Sequence, residues 1–179
     1  GEYLPFQDIF RMFRINQFVP GTNGWAPGNG RRLMNPAGSP PFLALVCYEV
    51  VFPGDIGDPA GAQYILNATN DAWFDGSIGP AQHAHPARLR AVETGLPLLR
   101  VANSGITFAT DPLGRISGRL EPEQVAVLDT IPYRPVEGGT LFNRVGNWPA
   151  LIAGILFLGF AALGRRRPAG IARISPHGT

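Results

Sequence analysis

The stretch that most constrains this 179-residue chain is the run from Val145 to Gly164, which contains no charged residue. Twenty residues at the helical rise of about 1.5 Å extend about 30 Å, the thickness of the hydrocarbon core of a bilayer. Large apolar side chains fall on every face of such a helix, whereas a helix packed on a core has one apolar stripe. A helix buried in a protein core is the alternative interpretation. The pattern favours a transmembrane helix with Trp148 to Leu163 as its body.

The residues that flank this run predict its direction in the membrane. Trp148 occupies the place of an interfacial aromatic residue, and three arginines, Arg165 to Arg167, follow the run at once. Basic residues beside a span mark its cytoplasmic side. We therefore expect a domain over residues 1–144 outside the cytoplasm, a transmembrane helix over 145–164 and a basic cytoplasmic tail over 165–179.

The charge of the chain gives no support to a nucleic-acid partner. All fifteen basic residues are arginines, and the formal net charge is only +2. Binding to the phosphate backbone needs a concentrated positive surface, and part of the positive charge here lies in the cluster beside the apolar run.

Cys47 is the only cysteine and lies in the apolar run Leu43–Phe52. A short apolar run closed by Pro53-Gly54 is typical of a buried strand that leads into a turn. A lone cysteine in such a run can also be an inert buried residue. It cannot form an intrachain disulfide, so a free thiol kept outside the cytoplasm indicates a use in chemistry. Cys47 is therefore the candidate nucleophile.

The pattern of apolar runs and turn residues predicts strands that alternate with helices, followed by hairpin-linked strands, as in a layered α/β domain. The predicted helices cover residues 8–18 and 81–95, and Gly95 is expected to cap the second. The predicted strands cover residues 31–34, 42–47, 64–68, 97–102, 106–111, 116–120 and 124–131, with a hairpin turn at Pro112–Arg115. We hypothesise that Thr22–Asn35, which is rich in Gly and Asn, is a mobile lid.

Six short motifs within residues 1–120 resemble those of the apolipoprotein N-acyltransferase family and occur in that family's order. The closing apolar run is similar to the last membrane span of the same family. The motifs are Gly1-Glu2-Tyr3-Leu4-Pro5, Cys47-Tyr48-Glu49 with Phe52-Pro53, Asn70-Asp71-Ala72-Trp73-Phe74, Gly79-Pro80-x-Gln82-His83, Arg90-Ala91-x-Glu93-x-Gly95-x-Pro97 and Arg100-x-Ala102-Asn103-x-Gly105.

The resemblance implies the C-terminal part of a nitrilase-like αββα sandwich, periplasmic on a bacterial inner membrane, followed by one transmembrane helix. It also implies an N-acyltransferase of lipoprotein biosynthesis that needs no cofactor. Such an enzyme moves an acyl chain from a phospholipid to a cysteine, as a thioester, and then to the N-terminal amine of a diacylglyceryl apolipoprotein. The family's catalytic Glu and Lys are expected upstream of residue 1, so we expect the 179 residues alone to be inactive.

The resemblance also implies roles for the residues around Cys47. Cys47 matches the family's nucleophile, and Glu2 matches its second active-site carboxylate. Tyr48 and Glu49 are expected to shape the turn around the thiol, which reacts as a thiolate and so needs a base and a nearby cation.

Three further residues are candidates for substrate binding. Trp73 and Phe74 suit the walls of a lipid pocket, although they can also be core residues, and Asn103 follows a predicted strand near the same region. His83 and His85 lie two residues apart on a predicted helix and therefore point to different faces, so we expect no metal site.

Two other interpretations of the chain stay open. The first is a nitrilase-like amidase that hydrolyses a C–N bond with the same cysteine, for which a membrane span is unnecessary. The second is a membrane-anchored domain without catalysis. Glu93 and Arg100 are expected to form structural polar contacts in each case.

Overall fold

The computed structural model describes residues 30–74 and 76–165. Glu2, the predicted helix over residues 8–18 and most of the proposed lid lie outside the described residues. The chain divides into two compact units between Arg144 and Val145, and each is described here by itself.

The first unit contains a six-stranded mixed sheet whose strands lie side by side in chain order. The strands are β1 (Leu33–Met34), β2 (Phe42–Val46), β3 (Tyr64–Asn70), β4 (Leu98–Asn103), β5 (Thr107–Thr110) and β6 (Ile116–Leu120). β2, β3 and β4 are parallel, and the other neighbouring pairs are antiparallel. Because parallel strands end at the same edge of a sheet, Cys47, Asp71 and Ser104, which follow these three strands, gather there.

Helix α1 (Gly79–Thr94) connects β3 to β4 and packs on one face of the sheet. Its buried side carries Ala84, Ala87 and Ala91, whose small side chains let the helix lie close to the strands. The helix ends at Gly95, which has a φ of 70° and donates its N–H to the Ala91 carbonyl at 2.8 Å. The predicted helix and its glycine cap are confirmed.

The core is formed by strand side chains that alternate towards α1. The largest of its apolar members are Leu43, Leu45, Ile65, Leu98 and Phe108. The strands predicted over residues 42–47, 64–68, 97–102, 106–111 and 116–120 are all confirmed, and β1 is shorter than the predicted strand over 31–34. The mixed α/β class is therefore confirmed, and the described residues supply one sheet and one packed helix of the predicted four-layer sandwich.

The predicted strand over residues 124–131 is wrong for the described structure. Residues 121–140 contain no strand, and Val125, Val127 and Ile131 are exposed. Alternating β-branched residues favour a strand only where a neighbouring strand completes the ladder, and none of the described residues does so here.

The turn between β5 and β6 confirms the predicted hairpin and is organised by Asp111. The Asp111 carboxylate accepts the backbone N–H groups of Leu113 and Arg115, each at 2.9 Å. Gly114 supplies the left-handed residue, with a φ of 72°, and donates its N–H to the Asp111 carbonyl. Burial raises the pKa of Asp111. The hydrogen bonds from Arg115 and Leu113 and the charge of Arg115 outweigh this effect, so the pKa lies below its ordinary value.

We expect Asp111→Ala to destabilise the full-length protein by about 1 kcal/mol, because two backbone N–H groups lose their acceptor. A carboxylate with a lowered folded-state pKa stabilises the fold above its unfolded pKa of about 3.9, and this contribution disappears as the pH falls. Denaturant unfolding should therefore distinguish variant from wild type at neutral pH, with the difference shrinking in acid. The control is Asp129→Ala, at an exposed position. Equal losses in both variants would contradict the role of the turn.

The second unit is dominated by helix α3 (Trp148–Arg165), which follows the short helix α2 (Leu141–Val145) at the boundary between the units. The side chains of residues 148–164 are exposed. Across residues 30–74 and 76–165, no helix has both the length and the apolar character needed to cross a membrane. The transmembrane helix over 145–164 stays a prediction.

Candidate active site

Cys47 begins a 3₁₀ helix, Cys47–Val51, directly after β2. Its φ is 51°, in the left-handed region that residues with a Cβ rarely adopt. The cysteine is half-buried rather than enclosed in the core. Backbone strain at the end of a central strand is a recurring way to present a nucleophile. Cys47 is therefore partly exposed at the sheet edge, and its reactive role stays a prediction.

The backbone of Cys47 is fixed through its carbonyl oxygen. The Asn67 side-chain amide on β3 donates to this oxygen at 3.4 Å and to the Leu45 carbonyl at 3.0 Å. The Nε2 atom of His83 on α1 lies 3.3 Å from the same oxygen. Two different elements of the fold therefore hold the turn that carries the thiol.

Asn67 and His83 belong to a buried cluster that also contains Asp71 and Arg100, and all four residues are at most 5% exposed. The Asp71 carboxylate lies 2.8 Å from His83 Nδ1 and accepts the Thr69 hydroxyl at 3.1 Å. Arg100 donates to Asp71 at 2.7 Å and to the Asn67 side-chain oxygen. Polar groups buried this deeply are stable only when paired, so these contacts hold the cluster in one arrangement.

The electrostatics of the cluster connect Arg100 to the thiol. Burial lowers the pKa of Arg100, and the charge and hydrogen bond of Asp71 and the charge of Cys47 partly oppose this effect. Arginine nevertheless stays protonated in proteins. The buried Arg100 guanidinium is therefore a permanent positive charge close enough to interact electrostatically with Cys47.

Tyr48 and Glu49 follow Cys47 on the same 3₁₀ helix, and the role expected of them stays a prediction. The Glu49 carboxylate accepts the Val46 N–H at 2.8 Å, which ties it to the end of β2. Burial raises the pKa of Glu49, yet the pKa is lowered overall, and the Val46 hydrogen bond and the charge of Arg31 are among the causes. The exposed Tyr48 ring lies edge-on to Phe52 at 5.7 Å and 6.0 Å from the His83 ring.

The two candidate aromatic residues of the pocket wall differ in environment. Trp73 is 84% exposed, so it is not a core residue. Phe74 is half-buried, and its ring lies edge-on to His83 at 6.0 Å. Both lie on the short 3₁₀ helix Ala72–Phe74 that follows Asp71 at the same sheet edge as Cys47.

Asn103 lies at the end of β4, where its side-chain amide donates to the Asn70 oxygen at 3.0 Å. It borders a polar cleft of about 220 Å³ together with Ser104, Glu121 and Glu123, among others. Cys47 is absent from the lining of this cleft. Asn103 thus ends β4 at the same sheet edge as Cys47, and the cleft that it lines is a separate one.

The polar contacts expected of Glu93 and Arg100 are confirmed. Glu93 pairs with Arg90 at 2.7 Å, and Arg90 also donates to the Val51 carbonyl at the end of the Cys47 turn.

His85 is exposed, while His83 is buried. Within the described residues, no group of three or more His, Cys, Asp or Glu side chains could hold a metal ion.

Asn67, Asp71 and His83 were not predicted as site residues from the sequence. A signal for them existed, because Asp71 follows a buried parallel strand and such strand ends converge. The sequence could not reveal that His83 points from α1 back to that edge, since this contact joins residues 36 positions apart.

The site thus presents Cys47 at the carboxyl edge of the parallel strands β2, β3 and β4. Comparison of the sequence with protein families gives a match over most of this unit. The carbon-nitrogen hydrolase family model matches residues 19–130, and the chain belongs to this family.

The chain is similar to several curated proteins named apolipoprotein N-acyltransferase. It is 39% identical to that of Brucella melitensis over 92% of this chain and 31% of the relative. It is 47% identical to that of Allorhizobium ampelinum over 70% of this chain and 24% of the relative. The chain thus spans about a quarter to a third of the length of these relatives. Among solved structures, an amidase from Nesterenkonia sp. AN1 matches with a TM-score of 0.47 and 22% identity, over 74% of this chain and 52% of that one.

Proposed function

We propose that the chain is the nucleophile-bearing part of an apolipoprotein N-acyltransferase, with Cys47 as the residue that accepts the acyl group. The observation that carries this proposal is the Cys47 turn, a half-buried thiol in a left-handed conformation at the carboxyl edge of the sheet. The names of the similar relatives indicate an apolipoprotein as the acyl acceptor, and the phospholipid donor and the diacylglyceryl group of the acceptor are what the motif resemblance implies.

In the proposed first step, the Cys47 thiolate attacks the ester carbonyl carbon of the phospholipid. The C–O bond to glycerol breaks, the lysophospholipid leaves with a proton, and a thioester forms on Cys47. In the second step, the amine of the diacylglyceryl-cysteine attacks the thioester carbon, the amine proton is lost and the thiol is regenerated. The acceptor gains an amide bond.

The proton transfers require a base, and the oxyanion requires donors. We propose that Glu2 is the second carboxylate of the site. The general base and the cation of the site are, in this proposal, the catalytic Glu and Lys implied by the resemblance, which lie in the full-length protein outside these 179 residues. Tyr48 and Glu49 shape the turn, while Trp73, Phe74 and Asn103 contact the substrates.

The proposal places the enzyme in the bacterial inner membrane, with the catalytic domain in the periplasm. The proposed anchor is the apolar run over residues 145–164 and the proposed cytoplasmic tail is 165–179, both from the sequence pattern, since no helix of the described residues has the length and apolar character of a span. Exposed apolar side chains along α3, such as Ile155 at 59% and Phe160 at 78%, support contact with lipid.

An amidase that uses the same cysteine is the second candidate, and membership of the carbon-nitrogen hydrolase family favours it. The two candidates share a covalent intermediate and differ in the donor. An acyltransferase takes the acyl group from a lipid ester and passes it to an amine, whereas an amidase cleaves a C–N bond and passes the acyl group to water.

The test is to incubate the full-length protein in detergent with a phospholipid labelled in its acyl chain. We expect label on the peptide that contains Cys47, release of that label by neutral hydroxylamine, and transfer to an added diacylglyceryl peptide. Ammonia release from simple amides without any lipid-derived label would overturn the proposal in favour of an amidase.

A further inference from the structure

The protonation state of His83 follows from the groups that face its two ring nitrogens. Nε2 faces the Cys47 carbonyl oxygen, which can only accept a hydrogen bond. Nδ1 faces the Asp71 carboxylate, which also accepts hydrogen bonds from Arg100 and Thr69. Both ring nitrogens must therefore donate, which only the imidazolium form of histidine can do.

This assignment gives the buried cluster a net positive charge. Arg100 and His83 are cations, while Asp71 is the only anion among the four cluster residues. A buried charge without a counter-charge is costly. The thiolate form of Cys47, on the turn whose carbonyl His83 contacts, would supply the missing negative charge.

We propose that His83 is a positioning residue that acts through Cys47: as an imidazolium held by Asp71, it fixes the Cys47 carbonyl and stabilises the thiolate from below. This inference rests on the proposed function only in that the thiolate is taken to accept an acyl group. It assigns a role to a histidine that the sequence alone suggested only as an unlikely metal ligand.

Other groups around the His83 ring bear on any pH dependence. Among the described residues, Asp71, which directly follows β3, and Tyr48 on the 3₁₀ helix lie next to the ring, and Arg100 on β4 pairs with the other oxygen of the Asp71 carboxylate. Phe74 contributes an apolar ring.

The experiment measures the rate at which iodoacetamide alkylates Cys47 in the full-length protein, from about pH 6 to about pH 9, with the Cys47 peptide followed by mass spectrometry. We expect His83→Gln to slow alkylation about tenfold at neutral pH and to move the rate profile about one pH unit upward. The matched control is His85→Gln, an exposed histidine two positions away on α1, which should leave the profile unchanged.

A purely structural role for His83 gives a different result. In that case His83→Gln would lower the melting temperature without moving the alkylation profile, and this outcome would overturn the proposal. Alkylation uses no lipid, so a shifted profile in a protein that takes no label from phospholipid would sink the proposed function and leave this inference standing.

A measurement on the wild-type protein covers the case in which His83→Gln does not fold. In protein labelled with ¹⁵N-histidine, the ring nitrogens of a buried histidine should both carry protons at neutral pH. His85→Gln removes the signals of the exposed neighbour and simplifies the assignment. One unprotonated ring nitrogen on His83 would contradict the proposal.

Discussion

If the chain is part of the proposed acyltransferase, Cys47→Ala should abolish the acyl-enzyme in the full-length protein and lower acyl transfer at least about a thousandfold, because Cys47 is the proposed acyl acceptor and the only cysteine of this sequence. The measurement follows acyl label from phospholipid onto the peptide that contains residue 47 and then onto a diacylglyceryl peptide. The melting temperature should change little, since the hydrogen bonds that hold this turn end on its backbone.

Cys47→Ser serves as the close control for this experiment. A serine keeps the size and polarity of the side chain but is a weaker nucleophile, and any adduct on it would be an oxygen ester. That adduct should resist neutral hydroxylamine, whereas the wild-type thioester is cleaved. Label that persists on the Cys47→Ala variant would show that another residue is the acyl acceptor.

Asp71→Asn should cost about 3–5 kcal/mol of folding free energy, because it removes the carboxylate that contacts His83 and pairs with Arg100, and leaves the arginine charge buried without its partner. For a protein of this size class the melting midpoint would fall by roughly 10 °C. Asn is nearly isosteric with Asp, so the loss reports the charge and the hydrogen bonds rather than a cavity.

Asp55→Asn is the matched control for Asp71→Asn. Asp55 also pairs with an arginine, Arg31 at 2.6 Å, but its side chain is 68% exposed. Exposed ion pairs contribute about 0–1 kcal/mol, so this variant should melt close to wild type. Equal effects of the two substitutions would contradict the view that the buried cluster is a major source of stability.

The sequence predicts local elements well where their signals are local. The strand that ends at Cys47 is an unbroken apolar run, and α1 has a proline in its first turn and a glycine cap. The hairpin after β5 contains Asp and Gly at the positions that its turn requires. Each of these features is decided by residues within a few positions of one another.

The features that the sequence does not predict depend on distant contacts. The 3₁₀ helix at Cys47 is held by Asn67 and His83, which are 20 and 36 positions away along the chain. The strand predicted over residues 124–131 has suitable residues but lacks a ladder partner among the described ones. The buried cluster has the same origin, since Asp71 and Arg100 meet because β3 and β4 are adjacent and parallel.

The Arg100-to-Gly105 motif illustrates how a sequence signature can report packing. Arg100 points into the core from β4, and the chain then passes directly over Asp71 at Gly105. A Cβ atom at position 105 would lie 2.7 Å from the Asp71 Cβ, closer than real side chains approach. The glycine is therefore needed to leave room for the carboxylate, and Gly105→Ala would displace Asp71.

The attachment of residue 47 through its main chain makes the side chain at that position exchangeable. Its carbonyl is held by Asn67 and His83, and neither of these contacts involves the sulfur atom. We therefore expect the backbone of the Cys47 turn to keep its conformation when another small side chain replaces the thiol. In the proposed acyltransferase, an inert side chain at position 47 would leave a bound donor lipid unreacted, so the complex that precedes chemistry becomes accessible to structural study.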